Sequence, residues 1–267
     1  MSYLELPGAS IYYELDGSPH DPALLLIHSG ITQLRMWDPQ IEALSQAHFV
    51  IRFDARGFGR TVAQPGPYSD RWDALSLLDH VGVDTVTAIG CSRGGMIAIE
   101  LAVDAPGRTA GLVTIGSTPS GHPEVEETPH EHALYELVEA ATGAEQLRLE
   151  ADFWEVGPLR DPATLDPAFV ATARELNVAN LSHINEKRER IPLEPPAYER
   201  LGEITVPTLV MVGEHDVSVV MPATKSLLAR IPNAQEHRFA EVAHLPNVEQ
   251  PEEFEAVLLA WLTEHHL

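Results

Sequence analysis

The chain has 267 residues, 44% of them hydrophobic and 21% charged, which is ordinary for a globular protein and enough to bury a large core. Its 17 basic residues against 40 acidic ones leave a formal net charge of -23, with Lys187 and Lys225 the only lysines, so nucleic acid and anionic membrane surfaces are poor partners. Cys91 is the only cysteine, which excludes an internal disulfide and a cysteine-based metal site.

The first stretch, "MSYLELPGASIYYELDG", lacks the basic flank and apolar run of a secretory signal. No later run approaches the roughly 20 apolar residues of a membrane span. A cytoplasmic chain is the expectation. Within that first stretch "IYYELDG" (11–17) alternates and ends in Asp-Gly, which predicts an antiparallel edge strand and turn. The runs "ALLLIH" (23–28), "FVIRFD" (49–54), "TVTAIG" (85–90), "GLVTIG" (111–116) and "TLVMVG" (208–213) are continuously apolar, as strands buried on both faces of a parallel sheet must be. Helical patterns separate them over 38–46, 69–81, 92–105, 222–230 and 251–265. This order predicts an α/β fold with a mostly parallel, doubly wound sheet and a ligand site at the carboxyl ends of its strands.

From about Ser117 to Arg200 no strand is expected. Helical periods fill "EHALYELVEAATG", "AEQLRLEADFWEVG" and "DPAFVATARELNVANLSHINEKRER", between proline-rich boundaries "STPSGHPEVEETP" and "IPLEPPAYER". The reading is a helical cap, 117–200, inserted between two strands of a core formed by 1–116 and 201–267.

Gly90-Cys91-Ser92-Arg93-Gly94 matches G-x-S-x-G between a predicted strand and a predicted helix. A nucleophile at such a turn sits in strained backbone, so small residues are needed two before and two after it. The helix N-terminus then faces the site, where backbone N–H groups can hold an oxyanion. A serine hydroxyl needs a base, and the base needs an acid, in the chain order Ser, acid, His. Glu214-His215-Asp216 follows the strand "TLVMVG", and His244 follows "EHRFAEVA" in a loop before the last helix. His130, His132, His265 and His266 lie in polar helical or terminal stretches and read as surface residues.

With these residues in view, the chain resembles the α/β-hydrolase-fold serine hydrolases of the esterase, enol-lactonase and cofactor-free haloperoxidase type. The likeness runs through "LLLIHSG" with "MWDPQ", "RFDARGFGRT", "IGCSRGG", "VGEHD" and "AHLPNVEQPEEF", and passes over the helical insertion. It implies Ser92 as nucleophile, Asp216 as orienting acid and His244 as general base; by position, two residues earlier and closer to the strand, Glu214 is the alternative acid. It implies oxyanion donation from the backbone N–H groups of Arg93 and Gly30. The family's His-Gly pair reads His28-Ser29 here, which leaves Ser29 as the alternative to Gly30. His28 reads as a buttress of that loop, Asp54 and Arg56 as residues that satisfy a tight turn, and Cys91 as a small buried side chain. Phe153, Trp154, Asn180 and His183 in the cap are given no role.

The expected activity is hydrolysis of a small carboxylic ester or lactone through an acyl-serine, with no metal or organic cofactor and a small-molecule substrate as partner; the oligomeric state is left open. The same three residues also serve carbon–carbon bond hydrolysis, peracid formation, or a receptor that uses the pocket only to bind; pocket shape decides among them.

Overall fold

The computed structural model describes residues 2–187 and 189–267. In chain order its strands are β1 (Ser2–Leu6), β2 (Ala9–Asp16), β3 (Ala23–Ile27), β4 (Phe49–Phe53), β5 (Val62–Ala63), β6 (Pro67–Tyr68), β7 (Val86–Cys91), β8 (Thr109–Ile115), β9 (Glu189–Arg190), β10 (Thr208–Gly213) and β11 (Ala234–Phe239). Among the described residues the main sheet runs β1-β2-β4-β3-β7-β8-β10-β11, with β5 beside β2. From β4 to β11 every neighbouring pair is parallel, while β2 pairs antiparallel with β1, β4 and β5. The helices are α1 (Asp38–Leu44), α2 (Asp70–Val81), α3 (Arg93–Asp104), α4 (Pro129–Ala140), α5 (Gly143–Ala151), α6 (Pro167–Val178), α7 (Ala197–Arg200), α8 (Val220–Arg230), α9 (Pro246–Glu249) and α10 (Pro251–His265).

The continuous apolar runs have their reason in the two layers that cover the sheet. Leu25, Ile27, Ile51 and Ala88 face one way, onto Leu77 of α2 and Ile97 and Leu101 of α3. Leu24, Leu26, Val50 and Ile89 face the other way, onto Trp37, Leu44 of α1, and Phe254 and Leu258 of α10. Both residue parities are therefore buried, as in a parallel sheet with helices on either side. Helix ends follow local chemistry. Ser69 caps α2 through its hydroxyl, and Gly82 ends it in the left-handed conformation. No helix among the described residues is long and apolar enough to cross a membrane.

Two expectations need correction, and one strand was not expected. The strand anticipated at 11–17 is not an edge, because β1 pairs along it and takes the outer position. The segment 117–200 is helical in α4, α5, α6 and α7 but contains β9, which pairs with β6 through Pro67↔Glu189 and Tyr68↔Arg190. Two residues carry no detectable period, so sequence alone cannot show such a strand. The far edge, β11, has the sequence "AQEHRF", whose polar exposed residues hide it from an apolar-run criterion.

Candidate active site

β7 ends at Cys91 and α3 starts at Arg93, which leaves Ser92 alone in the turn at φ 54° and ψ -117°. Its N–H donates to Ile115 O at 2.7 Å, and its carbonyl accepts from Met96 N–H at 3.0 Å, the first bond of the helix. A Cβ on Gly90 would lie 2.2 Å from Gly94 O, and one on Gly94 2.2 Å from Ile27 O. Strand, turn and helix approach so closely that only glycine fits on either side of Ser92. The positive φ at a serine is strain held by this packing.

Asp216 and His244 arrive from the ends of β10 and β11. His244 Nδ1–H donates to Asp216 Oδ1 at 2.8 Å, and Val217 N–H donates to the same oxygen at 2.8 Å. Both side chains are almost wholly buried. Gly116, at the end of β8 and next to the residue that binds Ser92 N–H, closes the group. A Cβ there would lie 2.7 Å from Asp216 Oδ2 and 3.0 Å from His244 Nδ1, and its φ is +54°. Ser92, Asp216 and His244 thus all lie at the carboxyl end of the sheet, Ser92 after β7, Asp216 after β10 and His244 after β11. Among the described residues Ser92 Oγ makes no hydrogen bond with His244; such bonds often tighten only with substrate present. Glu214 is exposed, and the carboxylate bonded to His244 is that of Asp216. Among the described residues no group of three or more His, Cys, Asp or Glu is arranged to hold a metal ion.

Gly30 comes against the first residue of α3, where a Cβ on it would lie 3.4 Å from Arg93 Cβ. Ser29 N–H is engaged by Met36 Sδ at 3.3 Å. His28 Nδ1–H donates to Ser29 O at 2.7 Å while His28 Nε2 accepts from Ala55 N–H at 3.0 Å, so both ring nitrogens hold the loop. Asp54 accepts from the N–H groups of Leu34 and Arg60, both at 2.8 Å, and Arg56 makes a bidentate pair with Asp73 at 2.7 and 2.8 Å. These residues are consumed by structure. The Arg93 guanidinium pairs with Asp70 at 2.7 Å, and Asp70 also receives Arg190 at 2.6 Å.

Cys91 is buried and its Sγ–H points to His244 O at 3.6 Å. Burial pushes its thiol well above the ordinary range, and the negative charge of Asp216 pushes the same way. A thiol so placed is a poor source of thiolate.

The cap meets this group through residues that sequence reasoning left without a role. The Trp154 ring lies 5.9 Å from that of His244, with Phe153 stacked edge-on behind it at 5.1 Å. Asn180 donates to Thr32 O at 3.0 Å and accepts from Gly59 N–H at 2.9 Å, while His183 Nε2–H reaches Gly59 O at 3.0 Å. Glu131 of α4 accepts from Ser218 N–H at 2.7 Å and Ser218 Oγ–H at 2.5 Å, two residues beyond Asp216. Burial opposes its ionisation, but the hydrogen bonds from Ser218 and Thr128 outweigh it and hold the carboxyl below its usual range. Gly116 was missed because a glycine at a strand end reads as a generic turn.

Known proteins share this fold. The family model for the alpha/beta hydrolase fold matches residues 22–251. The chain is 27% identical over 256 residues to a 3-oxoadipate enol-lactonase of Acinetobacter baylyi, covering 92% of this chain and 90% of that one. It is 30% identical over 277 residues to a putative carbamate hydrolase of Azorhizobium caulinodans, covering 99% of each. An enol-lactonase structure from Burkholderia xenovorans LB400 superposes with a TM-score of 0.75 at 25% identity, over 98% of this chain and 100% of that one. With the sheet order and the family match in agreement, this chain belongs to the alpha/beta hydrolase fold family and is a hydrolase.

Proposed function

We propose that this hydrolase cleaves a small carboxylic ester or lactone through an acyl-Ser92 intermediate. The observation that carries the reading is the 2.8 Å bond from His244 Nδ1–H to Asp216 Oδ1, beside the strained turn that presents Ser92. With Nδ1–H held there, His244 offers Nε2 as the base. It takes the proton as Ser92 Oγ attacks the acyl carbon, and returns it to the leaving alkoxide. Water, deprotonated in turn by His244, releases the acid. The oxyanion is received by the N–H of Arg93, at the helix N-terminus, and by that of Gly30. Gly30 is favoured over Ser29 because the Ser29 N–H is already engaged by Met36. The helical cap over the site, with Trp154 against His244, sets which acyl group enters.

Relatives named as enol-lactonases support the lactone half of this reading, and a relative named as a putative carbamate hydrolase adds a carbamate to the substances worth testing. The experiment is a turnover panel of p-nitrophenyl esters of rising chain length, lactones and carbamates, with Ser92→Ala as the blank. Turnover of an ester or lactone that Ser92→Ala abolishes is expected. Thermal stabilisation by these compounds without turnover would overturn the reading in favour of a receptor.

A further inference from the structure

Among the described residues of the cap two acids are buried, Glu131 and Glu155. Glu155 lies in the turn Asp152–Val156, and neither of its carboxyl oxygens has a hydrogen-bond partner among the described residues. Glu131 is the opposite case, because both of its oxygens are engaged. Oε1 accepts from Ser218 N–H at 2.7 Å. Oε2 accepts from Thr128 N–H at 2.9 Å, Thr128 Oγ–H at 2.7 Å and Ser218 Oγ–H at 2.5 Å.

Two helix starts share this carboxylate. Glu131 is the third residue of α4 and closes a capping box with Thr128. α8 starts at Val220, and its N-cap residue, Val219, has no side chain that can accept a hydrogen bond. Ser218, one residue earlier, gives both its N–H and its hydroxyl to Glu131. A carboxylate from the cap thus stands at the start of a core helix, where the helix dipole favours negative charge.

These bonds fall on the loop that carries Asp216. The planar peptide between Val217 and Ser218 is held at both ends: Val217 O accepts from Val220 N–H at 3.0 Å, and Ser218 N–H donates to Glu131. One step back along the chain, Val217 N–H donates to Asp216 Oδ1 at 2.8 Å, the same oxygen that accepts from His244 Nδ1–H at 2.8 Å. The Val217 side chain is buried in one cluster with Val138 of α4, Phe153 and Val220. A continuous run of bonds therefore leads from α4 to the imidazole.

We propose that Glu131 is a positioning residue for the acid–base pair: by holding Ser218 it fixes the loop 216–218, so that Asp216 Oδ1 stays aligned with His244 Nδ1–H. This rests on the function proposed above. Glu131 touches none of the reacting atoms and acts through Ser218 and Val217. The cap then does more than cover the site, since closing it completes the support of the acid loop. The two oxygens of Glu131 are not equivalent, which makes glutamine a selective probe. Oε2 faces three donors and Oε1 one, so the amide of Glu131→Gln keeps its carbonyl at the Oε2 place and turns its NH2 onto Ser218 N–H. The capping box of α4 survives that change, and the bond to the acid-loop backbone does not.

The test compares Glu131→Gln with Asp166→Ala. Asp166 is exposed and caps α6 by accepting from Ala168 N–H at 2.8 Å, so its loss weakens the cap away from the acid loop. On the best ester, Glu131→Gln should lower kcat on the order of tenfold while KM changes by less than about twofold. Asp166→Ala should lower the melting temperature and leave kcat in place. A signature that needs no substrate is the low-field proton resonance of His244 Nδ1–H, identified by its loss in His244→Ala. It should shift in Glu131→Gln and stay in place in Asp166→Ala. Ser218→Ala removes only the hydroxyl bond and covers the case in which Glu131→Gln does not fold; it should move kcat and the resonance the same way by less. An unchanged kcat or an unmoved resonance in Glu131→Gln, or in Ser218→Ala if that is the variant that folds, overturns the proposal. An equal loss of kcat in Asp166→Ala overturns it too. If Ser92→Ala retains turnover instead, the acyl-serine reading is what fails, and the resonance still judges whether Glu131 supports the Asp216–His244 bond.

Discussion

Cys91 and Ser92 are adjacent and both can act as nucleophiles, and their surroundings separate them. The turn presents Ser92, partly open to solvent, while Cys91 points down onto His244 O with its thiol pushed up by burial. A fluorophosphonate should therefore modify Ser92 and leave Cys91 free, read from fragment ions of the tryptic peptide 72–93. Label on Cys91, or an inactive Cys91→Ala in a folded protein, would contradict the serine route. The acid can be tested in the same way: Asp216→Asn should damage turnover far more than Glu214→Gln, since only Asp216 touches His244. Glu155 carries a stability signature of its own. Its folded value is raised, so the native state keeps a proton that the unfolded chain releases above about pH 4.3. Stability is complete below that pH and is lost as pH rises toward the folded value. Glu155→Gln cannot titrate, so its melting temperature relative to wild type should climb from pH 4 to pH 7. A difference that stays flat across that range would mean Glu155 is ionised in the native state.

The unit β7–Ser92–α3 shows how an element stores what a residue needs. Ser92 sits at φ 54° because Gly90 and Gly94 let the backbone close and the bond to Ile115 O holds it there. Strain of this kind costs about 1–3 kcal/mol, of which a Ser92→Gly chain would recover part despite its looser unfolded state. Ser92→Gly should thus be more stable than Ser92→Ala, by about 1 kcal/mol in urea unfolding, with both inactive. Equal midpoints would show that the turn is relaxed. This element was legible in the sequence because its demand is local, five residues between an apolar run and a helical one. The inner parallel strands were legible too, since burial on both faces leaves a continuous apolar signature. What stayed hidden depends on partners distant in the chain. β9 is defined only by β6, β11 only by its place beside β10, and the approach of Gly116 to Asp216 and His244 only by the packed fold. Glu155 stands in the sequence as an acid between Trp154 and Val156, but only three-dimensional structure shows that its carboxyl has no hydrogen-bond partner among the described residues.

Charge is a property of the whole molecule, and here it is lopsided. Arginines supply nearly all the cations, and many are locked in pairs: Arg52 with Glu14 and Asp38, Arg56 with Asp73, Arg71 with Glu100 and Asp104, Arg160 with Glu249. Pairing of so few cations leaves most of the 40 acidic residues without a counter-charge, and the folded chain holds a net -23 in a small volume. Self-repulsion of that size opposes the compact state and acts over distances that salt screens, since the Debye length falls from about 10 Å at 0.1 M to about 3 Å at 1 M. The buried pairs, including Arg56–Asp73 and Arg93–Asp70, are screened much less. Repulsion should therefore weaken faster than attraction as salt is added. The melting temperature is expected to rise by several degrees between low salt and about 0.5 M sodium chloride, and by a similar amount in potassium chloride, because the effect is screening and not ion binding. A melting temperature that falls over this range would mean that exposed ion pairs, not the excess of carboxylates, dominate the electrostatics of this fold.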